Sequence, residues 1–334
     1  LIKNIIEDAQ KKGEQVQRKI DEEDEPFFPF YHSPEKNILS MNRNIEEGVN
    51  LDLAVNLVAN ARQVVKQEMG AKVKDIKVAF FKIADVMEYS DTDDNIIDTV
   101  TPRVGISIQI ETKDNNKAFG AIRGAMGGTE ILKRDEADKD KDYVDIVRAL
   151  AKEVSKDAID LDRAQSTSIL GSECPVVLSS GVTGVLAHEV YGHSSEADVI
   201  ITNKKTKAAE INLKGRIGGQ VSENTKFNII DTGLCNFDVG KKKIKNAFGS
   251  VIVDEHGTIP KRTALIQDGV QKLVLNSRYT RNEIMDGLTG DIRDEMVKHG
   301  LSGNVRTEKY DKPPLVRMTN TYILPDDENG KDKL

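Results

Sequence analysis

Along RVGISIQIETK, Val104, Ile106, Ile108 and Ile110 occupy every second position, the spacing that puts side chains on one face of a strand. IKVAFFKIADVMEYS before it and KAFGAIRGAM after it keep the same period, so a run of antiparallel strands is predicted from about Lys74. On either side the period becomes helical. LDLAVNLVANARQVVKQEM carries Leu53, Leu57, Val64 and Val65 among its apolar positions, with Asn50 as a cap and Gly70 at its end. YVDIVRALAKEVSKDAID repeats the pattern with Val144, Val147, Ala151, Val154 and Ala158. The charged run between strands and helix, KRDEADKDKD, reads as a solvated loop.

Further signals complete the outline. LIKNIIEDAQKKGEQVQRKI places Leu1, Ile2, Ile5, Ile6 and Ala9 on one helical stripe, and the acidic, Pro-rich DEEDEPFFPFYHSPEKN reads as a connector. CPVVLSSGVTGVLAHEVYGH predicts a short buried strand, a Ser-Ser-Gly turn with Ser179 or Ser180 as helix cap, and a helix. FNIID and GSVIVDEHG are predicted strands, TALIQDGVQKLVL is a hairpin turning at Asp268-Gly269, SRYTRNEIMDG a short helix, and VRMTNTYIL the last ordered segment. Helices and strands fall into separate groups, so the class is α+β: antiparallel sheets with flanking helices, a central α/β domain, then a β-rich C-terminal domain. The boundaries expected are 1–45 for the remnant of an N-terminal domain and connector, 46–165 for the central domain and 166–334 for the last. Because the sequence starts on Leu1 and ends on the polar DDENGKDKL, it reads as a fragment.

A net charge of -7 argues against a phosphate-backbone partner, which requires a concentrated basic surface, so nucleic acid is set aside. No stretch approaches the roughly 18 consecutive apolar residues of a membrane span. The two cysteines, Cys174 and Cys235, form no disulfide framework, and a cytoplasmic location is expected.

The chemistry concentrates in HEVYGH. Of five histidines in the chain, His188 and His193 fall within six residues, and Glu189 follows the first directly. Imidazole nitrogens bind zinc, which acidifies a water, and an adjacent carboxylate can take its proton. The spacing is one residue longer than the H-E-x-x-H of zinc peptidases. On a regular helix of about 100° per residue, five positions turn the two rings some 140° apart. Gly192, with its access to left-handed backbone, is expected to end or unwind the helix and swing His193 back. The competing reading is a pair of helix-end histidines capping carbonyls beside a surface Glu.

HEVYGHSSE resembles the TldD/PmbA family, whose active members carry H-E-x-x-x-H, commonly HEAVGH with a Glu shortly after. RGAMGGTEIL, CPVVLSSGVTGVLAHE, KGRIGGQVSE, VDEHGTIPKRTALIQDGV and RMTNTYILP resemble further family segments, in order, from about Arg103 to Pro325. The resemblance implies a zinc metallopeptidase cutting unfolded or extended peptides inside a closed dimer, with His188 and His193 as metal ligands and Glu189 activating water. It implies a homodimer, or a heterodimer with a related family member lacking the motif, engaged in modified-peptide maturation or peptide turnover. The family's third ligand is a cysteine well after the NTYILP stretch, which Cys174 and Cys235 do not match. The alternative is a non-catalytic peptide-binding or scaffold subunit. An extended substrate would add as a strand to a sheet edge; RMTNTYIL is a candidate edge or an ordinary internal strand.

Among the remaining candidates, His299 precedes Gly300 at an expected helix end, where a histidine complements the helix dipole. His256 falls in a turn and His32 in the connector. Glu196 and Asp198 are either partners orienting an imidazole or solvated acids. GRIGG and GAMGG lack the spacing of a phosphate cradle.

Overall fold

A computed structural model describes residues 38–41, 51–90, 96–122, 125–133, 138, 140–165, 173, 175–206, 217–240, 242–286, 288–308 and 312–324. The expected opening helix, the acidic connector with His32, the cap Asn50 and Cys174 lie outside the described residues.

The predicted strands form one sheet around β3 (Ile96–Thr112). β2 (Val73–Ser90) runs antiparallel along all of it, while β4 (Lys117–Ile122) pairs antiparallel with its second half on the opposite side. A short strand, β1 (Ile38–Met41), lies parallel to the start of β3, with Ile38 opposite Ile96. Four residues are too few to show a period, so β1 has no sequence signature.

Helix α1 (Leu51–Met69) and helix α2 (Tyr143–Arg163) cover one face of this sheet. Val104, Ile106, Ile108 and Ile110 share one core with Leu57, Ala61 and Val65 of α1 and Val147, Leu150 and Val154 of α2. Those four strand residues are all 0 % exposed, so each stabilises the fold by roughly 1.5–3 kcal/mol. An exposed pair on α2 such as Lys156–Asp160 contributes about 0–1 kcal/mol, so the apolar face decides the packing. Asp142 caps α2 by accepting from the Val144 N–H at 2.7 Å.

A second sheet has the order β12 (Thr321–Ile323), β5 (Ile229–Thr232), β8 (Arg262–Gln267), β9 (Val270–Gln271), antiparallel throughout. Asp268 and Gly269 join β8 to β9 with φ of 54° and 77°, the left-handed pair a two-residue hairpin demands. Minor ladders link β6 (Asn236–Val239) to β7 (Lys242–Lys245) and β10 (Val305–Arg306) to β11 (Leu315–Val316). The α-helices that follow are α3 (Ser180–Leu186), α4 (Ala197–Thr206), α5 (Arg281–Asp286) and α6 (Gly290–His299), the last three contributing to an apolar core distinct from that of the first sheet. No described helix is long and apolar enough to cross a membrane.

Two predicted strands are absent. GSVIVDEHG forms a loop, because the buried carboxylate of Asp254 accepts from the backbone N–H groups of His256, Thr258 and Val305 at 2.9, 2.9 and 3.1 Å, replacing a ladder. Burial pushes that carboxyl up to about 6, against the downward pull of the backbone donors. Pro175–Ser179 is exposed and pairs with no strand among the described residues; Val177 is 98 % exposed. The buried strand expected there requires a cover that the described residues do not provide.

Arg103 joins the two halves. Its side chain leaves β3, pairs with Asp85 of β2, and donates to the carbonyls of Phe248 and Ser250, both at 2.9 Å. A guanidinium has enough donors in fixed geometry to satisfy three acceptors at once.

Candidate metal centre

Helix α3 begins after Ser179, whose side chain makes no capping hydrogen bond, and runs into a π-helical turn, Ala187–Gly192. The His193 N–H donates to the His188 carbonyl, a bond spanning five residues. Because the bond runs from i+5 to i, the turn is wider than an α turn, and His188 and His193 come to one face instead of lying 140° apart. Their ring centroids are 4.8 Å apart and the rings nearly perpendicular, at 86°.

The expected mechanism for the late histidine is therefore corrected. Gly192 has φ -68° and ψ -62°, an ordinary right-handed helical conformation and not a left-handed one, and the chain stays helical there as the π turn passes into a 3₁₀ segment. What requires glycine is space: a Cβ at residue 192 would lie 1.8 Å from Met318 Sδ. The Met318 side chain, from the segment after β11, packs over the turn at that point.

Ligand atoms of His188, Glu189 and His193 all lie within 4.8 Å of one another. His188 and Glu189 are exposed and His193 is half-buried. Glu189 Oε2 is 4.0 Å from His193 Nε2. Two imidazoles on one face are donors suited to zinc, with the Glu189 carboxylate beside them, so the residues fit such an ion.

Behind His193 the turn continues through a 3₁₀ segment, His193–Ser195. Glu196, its side chain 1 % exposed, places Oε1 3.2 Å from His193 Nδ1 and Oε2 2.9 Å from Arg317 Nη1. Burial raises the Glu196 carboxyl above the usual range, and the nearby Arg317 and His193 oppose it. Glu196 is thus the imidazole partner, whereas Asp198 bonds elsewhere: its carboxylate accepts from the Val316 N–H at 3.0 Å. Arg317 has no counterpart among the sequence-derived candidates. Its one sequence signal is a lone guanidinium heading an otherwise uncharged stretch, RMTNTYIL.

The segment after Arg317 is held by Asp231 of β5, a fully buried carboxylate. It accepts from Thr319 N–H and Oγ1, from Thr321 Oγ1 at 2.8 Å and from Asn304 Nδ2 at 2.8 Å. This network fixes β12 beside the π turn.

The other two described histidines are remote from this cluster in their bonding. His256 is buried, edge-on to Tyr279 with centroids 5.0 Å apart, and burial lowers it to about 4. His299 ends α6 with Nε2 3.0 Å from Thr263 Oγ1, and burial, then the charges of Lys261 and Arg281, depress it to about 4. It is neutral near pH 7, so the expected histidine charge at this helix end is absent. Lys261 Nζ supplies the cation instead, donating to the His299 carbonyl at 3.1 Å.

The sign of the His299 shift supplies a test. The unfolded chain takes up the proton on falling through about 6.5, while the folded chain resists until about 4. His299 therefore costs nothing above that window, and folded-state stability is lost as pH falls through it. His299→Gln removes the titration, so its stability relative to the parent should improve by about 2 kcal/mol between pH 7.5 and pH 5. Urea midpoints at the two pH values measure this; an unchanged difference would mean His299 titrates normally.

Comparison with known proteins fits this geometry. Residues 171–334 match the family model described as the PmbA/TldA metallopeptidase C-terminal domain. The chain is 29 % identical over 296 residues to a metalloprotease TldD homolog of Buchnera aphidicola, covering 88 % of this chain and 53 % of that protein. It is 25 % identical over 301 residues to a zinc metalloprotease TldD homolog of Saccharolobus solfataricus, covering 90 % and 57 %. The chain spans about half the length of the curated relatives it matches. In fold it is similar to TldE from Thermococcus kodakarensis, with TM-score 0.51 and 9 % identity over 91 % of this chain and 60 % of that one. A Thermotoga maritima structure is similar at TM-score 0.55 and 16 % identity, over 91 % and 59 %. With the HEVYGH turn inside the matched region and metalloprotease relatives aligned along most of its length, the chain belongs to the TldD/PmbA metallopeptidase family.

Proposed function

We infer that the protein is a zinc-dependent peptidase acting on unfolded or extended peptides, with His188 and His193 as metal ligands and Glu189 as the general base. The observation that carries this reading is the five-residue hydrogen bond from His193 to His188, which brings both imidazoles and the intervening carboxylate to one face. Bound zinc supplies Lewis acidity, acidifying a water and polarising a peptide carbonyl. Glu189 follows a ligand directly and is exposed, so its carboxylate is free to take a proton from water. Glu196 holds the back of His193, leaving Nε2 for the metal.

The substrate class rests on β12. It is the last strand of its sheet among the described residues and lies against the π turn, so a peptide adding along it would run beside Glu189. Main-chain pairing of this kind selects for extended conformation more than for side chains. The proposal includes a dimer with a second copy or a related subunit, a cytoplasmic location, and a division into domains near residue 166, which the separate apolar cores favour. Modified-peptide maturation or peptide turnover is the role that fits such a peptidase.

Metal analysis tests the assignment. Purified full-length protein should hold about one zinc per chain, and the double change His188→Ala with His193→Ala should remove it. Unaltered zinc content in that variant would overturn the ligand assignment.

A further inference from the structure

Arg317 lies 121 residues from Glu196 in sequence, yet its guanidinium reaches the carboxylate that bonds His193. The chain of contacts is continuous: Arg317 Nη1 donates to Glu196 Oε2 at 2.9 Å, and Glu196 Oε1 is 3.2 Å from His193 Nδ1. Arg317 Nη1 also donates to its neighbour, the Val316 carbonyl, at 2.7 Å, which fixes the guanidinium against its own strand. Both residues flanking Arg317 hold the same helical segment. The Val316 N–H donates to Asp198 at 3.0 Å, and Met318 packs closely over Gly192.

We propose that Arg317 is a positioning residue: by fixing the rotamer of Glu196 it selects the Nδ1–H form of His193 and aims Nε2 at the metal. This rests on the reading of His193 as a ligand. Valence sets the tautomer. A carboxylate only accepts, so the ring nitrogen facing Glu196 Oε1 must carry the hydrogen, and the other keeps its lone pair. Were Glu196 to turn away, neutral imidazole would populate both tautomers and only part of the protein would present the ligand form. Glu196 is buried and its second oxygen is held by Arg317, so the carboxylate is anchored at both ends. Asp198 also lies near, its Oδ2 3.9 Å from Arg317 Nη1, but its bond to the Val316 N–H leaves Glu196 as the residue that meets the ring.

The same arrangement ties the metal to the substrate edge. Arg317 stands at the end of β11, and the next residues, Thr319 to Thr321, are those Asp231 binds to set β12. A peptide adding to β12 would therefore press on the segment that orients His193.

The experiment compares the full-length parent with Arg317→Met, Arg317→Lys and Glu196→Gln. The tautomer of His193 is read from nitrogen chemical shifts of the metal-free protein, and zinc affinity from competition with a chromophoric chelator. The parent should show predominantly the Nδ1–H form. Arg317→Met should give mixed tautomers and bind zinc about ten- to a hundredfold more weakly, with Arg317→Lys recovering part of both. Glu196→Gln should disturb the tautomer at least as much. Thermal melting of each variant separates these effects from unfolding. Parent-like tautomer and affinity in Arg317→Met would overturn the positioning role while leaving the metal site standing. Zinc affinity insensitive to His188→Ala and His193→Ala would instead overturn the site itself, and the positioning role with it.

Discussion

Glu189→Gln is expected to lower peptide hydrolysis by roughly a hundredfold or more while zinc content and peptide binding stay unchanged. Gln keeps the size and polarity of the side chain but cannot accept a proton from water. The Glu189 side chain is 64 % exposed, with His193 Nε2 4.0 Å away, so the change breaks no buried contact. Stability should therefore remain within the usual surface range of about 0.5 kcal/mol. Cleavage of an extended peptide is the assay, with metal content and binding of the same peptide measured alongside. Near-normal cleavage with zinc bound would remove Glu189 from the mechanism. A parent protein inactive both alone and with a related family member added would favour the scaffold alternative.

The second large effect concerns Gly192. Because its backbone is ordinary helix, conformation alone would allow alanine there at no cost. Packing does not. Any Cβ would fall 1.8 Å from Met318 Sδ, and Met318, 9 % exposed within the core of the second sheet, has little room to retreat. Gly192→Ala should destabilise by about 1–3 kcal/mol and Gly192→Val by at least as much, the scale of overpacking in a filled core. Zinc affinity should fall in parallel, since the turn that joins His188 to His193 must shift. Shortening the opposing side chain, as in Gly192→Ala combined with Met318→Ala, should recover part of both. Denaturant titration and zinc competition of the single and double variants make a closed cycle. Parent-like stability in Gly192→Ala would mean the Met318 side chain moves aside without cost.

The helices and the first sheet were legible because their signal is local. Val104 to Ile110 and the stripes of α1 and α2 show their period within a dozen residues, and the burial agrees with it. The candidate ligands were legible for the same reason, being neighbours in sequence. The π turn was not, because an α and a π turn use the same residues and differ in which carbonyl is bonded, which leaves no mark in a hydrophobic period. GSVIVDEHG shows a related ambiguity. Its β-branched residues suit a strand, but the buried carboxylate of Asp254 satisfies the backbone locally, and no periodicity reveals that. The proximity of Glu196 to His193 could be read from spacing. Its burial and its link to Arg317 could not, since they depend on residues as distant in sequence as Leu275 and Arg317.

The odd residue in the π turn also sets a rotational phase. An α-helix advances by about 100° per residue, so deleting either Val190 or Tyr191 would restore a four-residue interval between the histidines but turn everything downstream by that angle. The downstream residues are not free to turn. Ser195 accepts from the Leu275 N–H at 2.9 Å, Ala197 donates to the Leu275 carbonyl at 2.9 Å, and Glu196 meets both His193 and Arg317. The shorter motif would keep its two histidines in line and lose the carboxylate behind the second. In this fold H-E-x-x-x-H is not a lengthened H-E-x-x-H but a different gearing between the helix that carries the two histidines and the segment it leans on, and a substitution of one for the other would need the whole downstream junction to be recut.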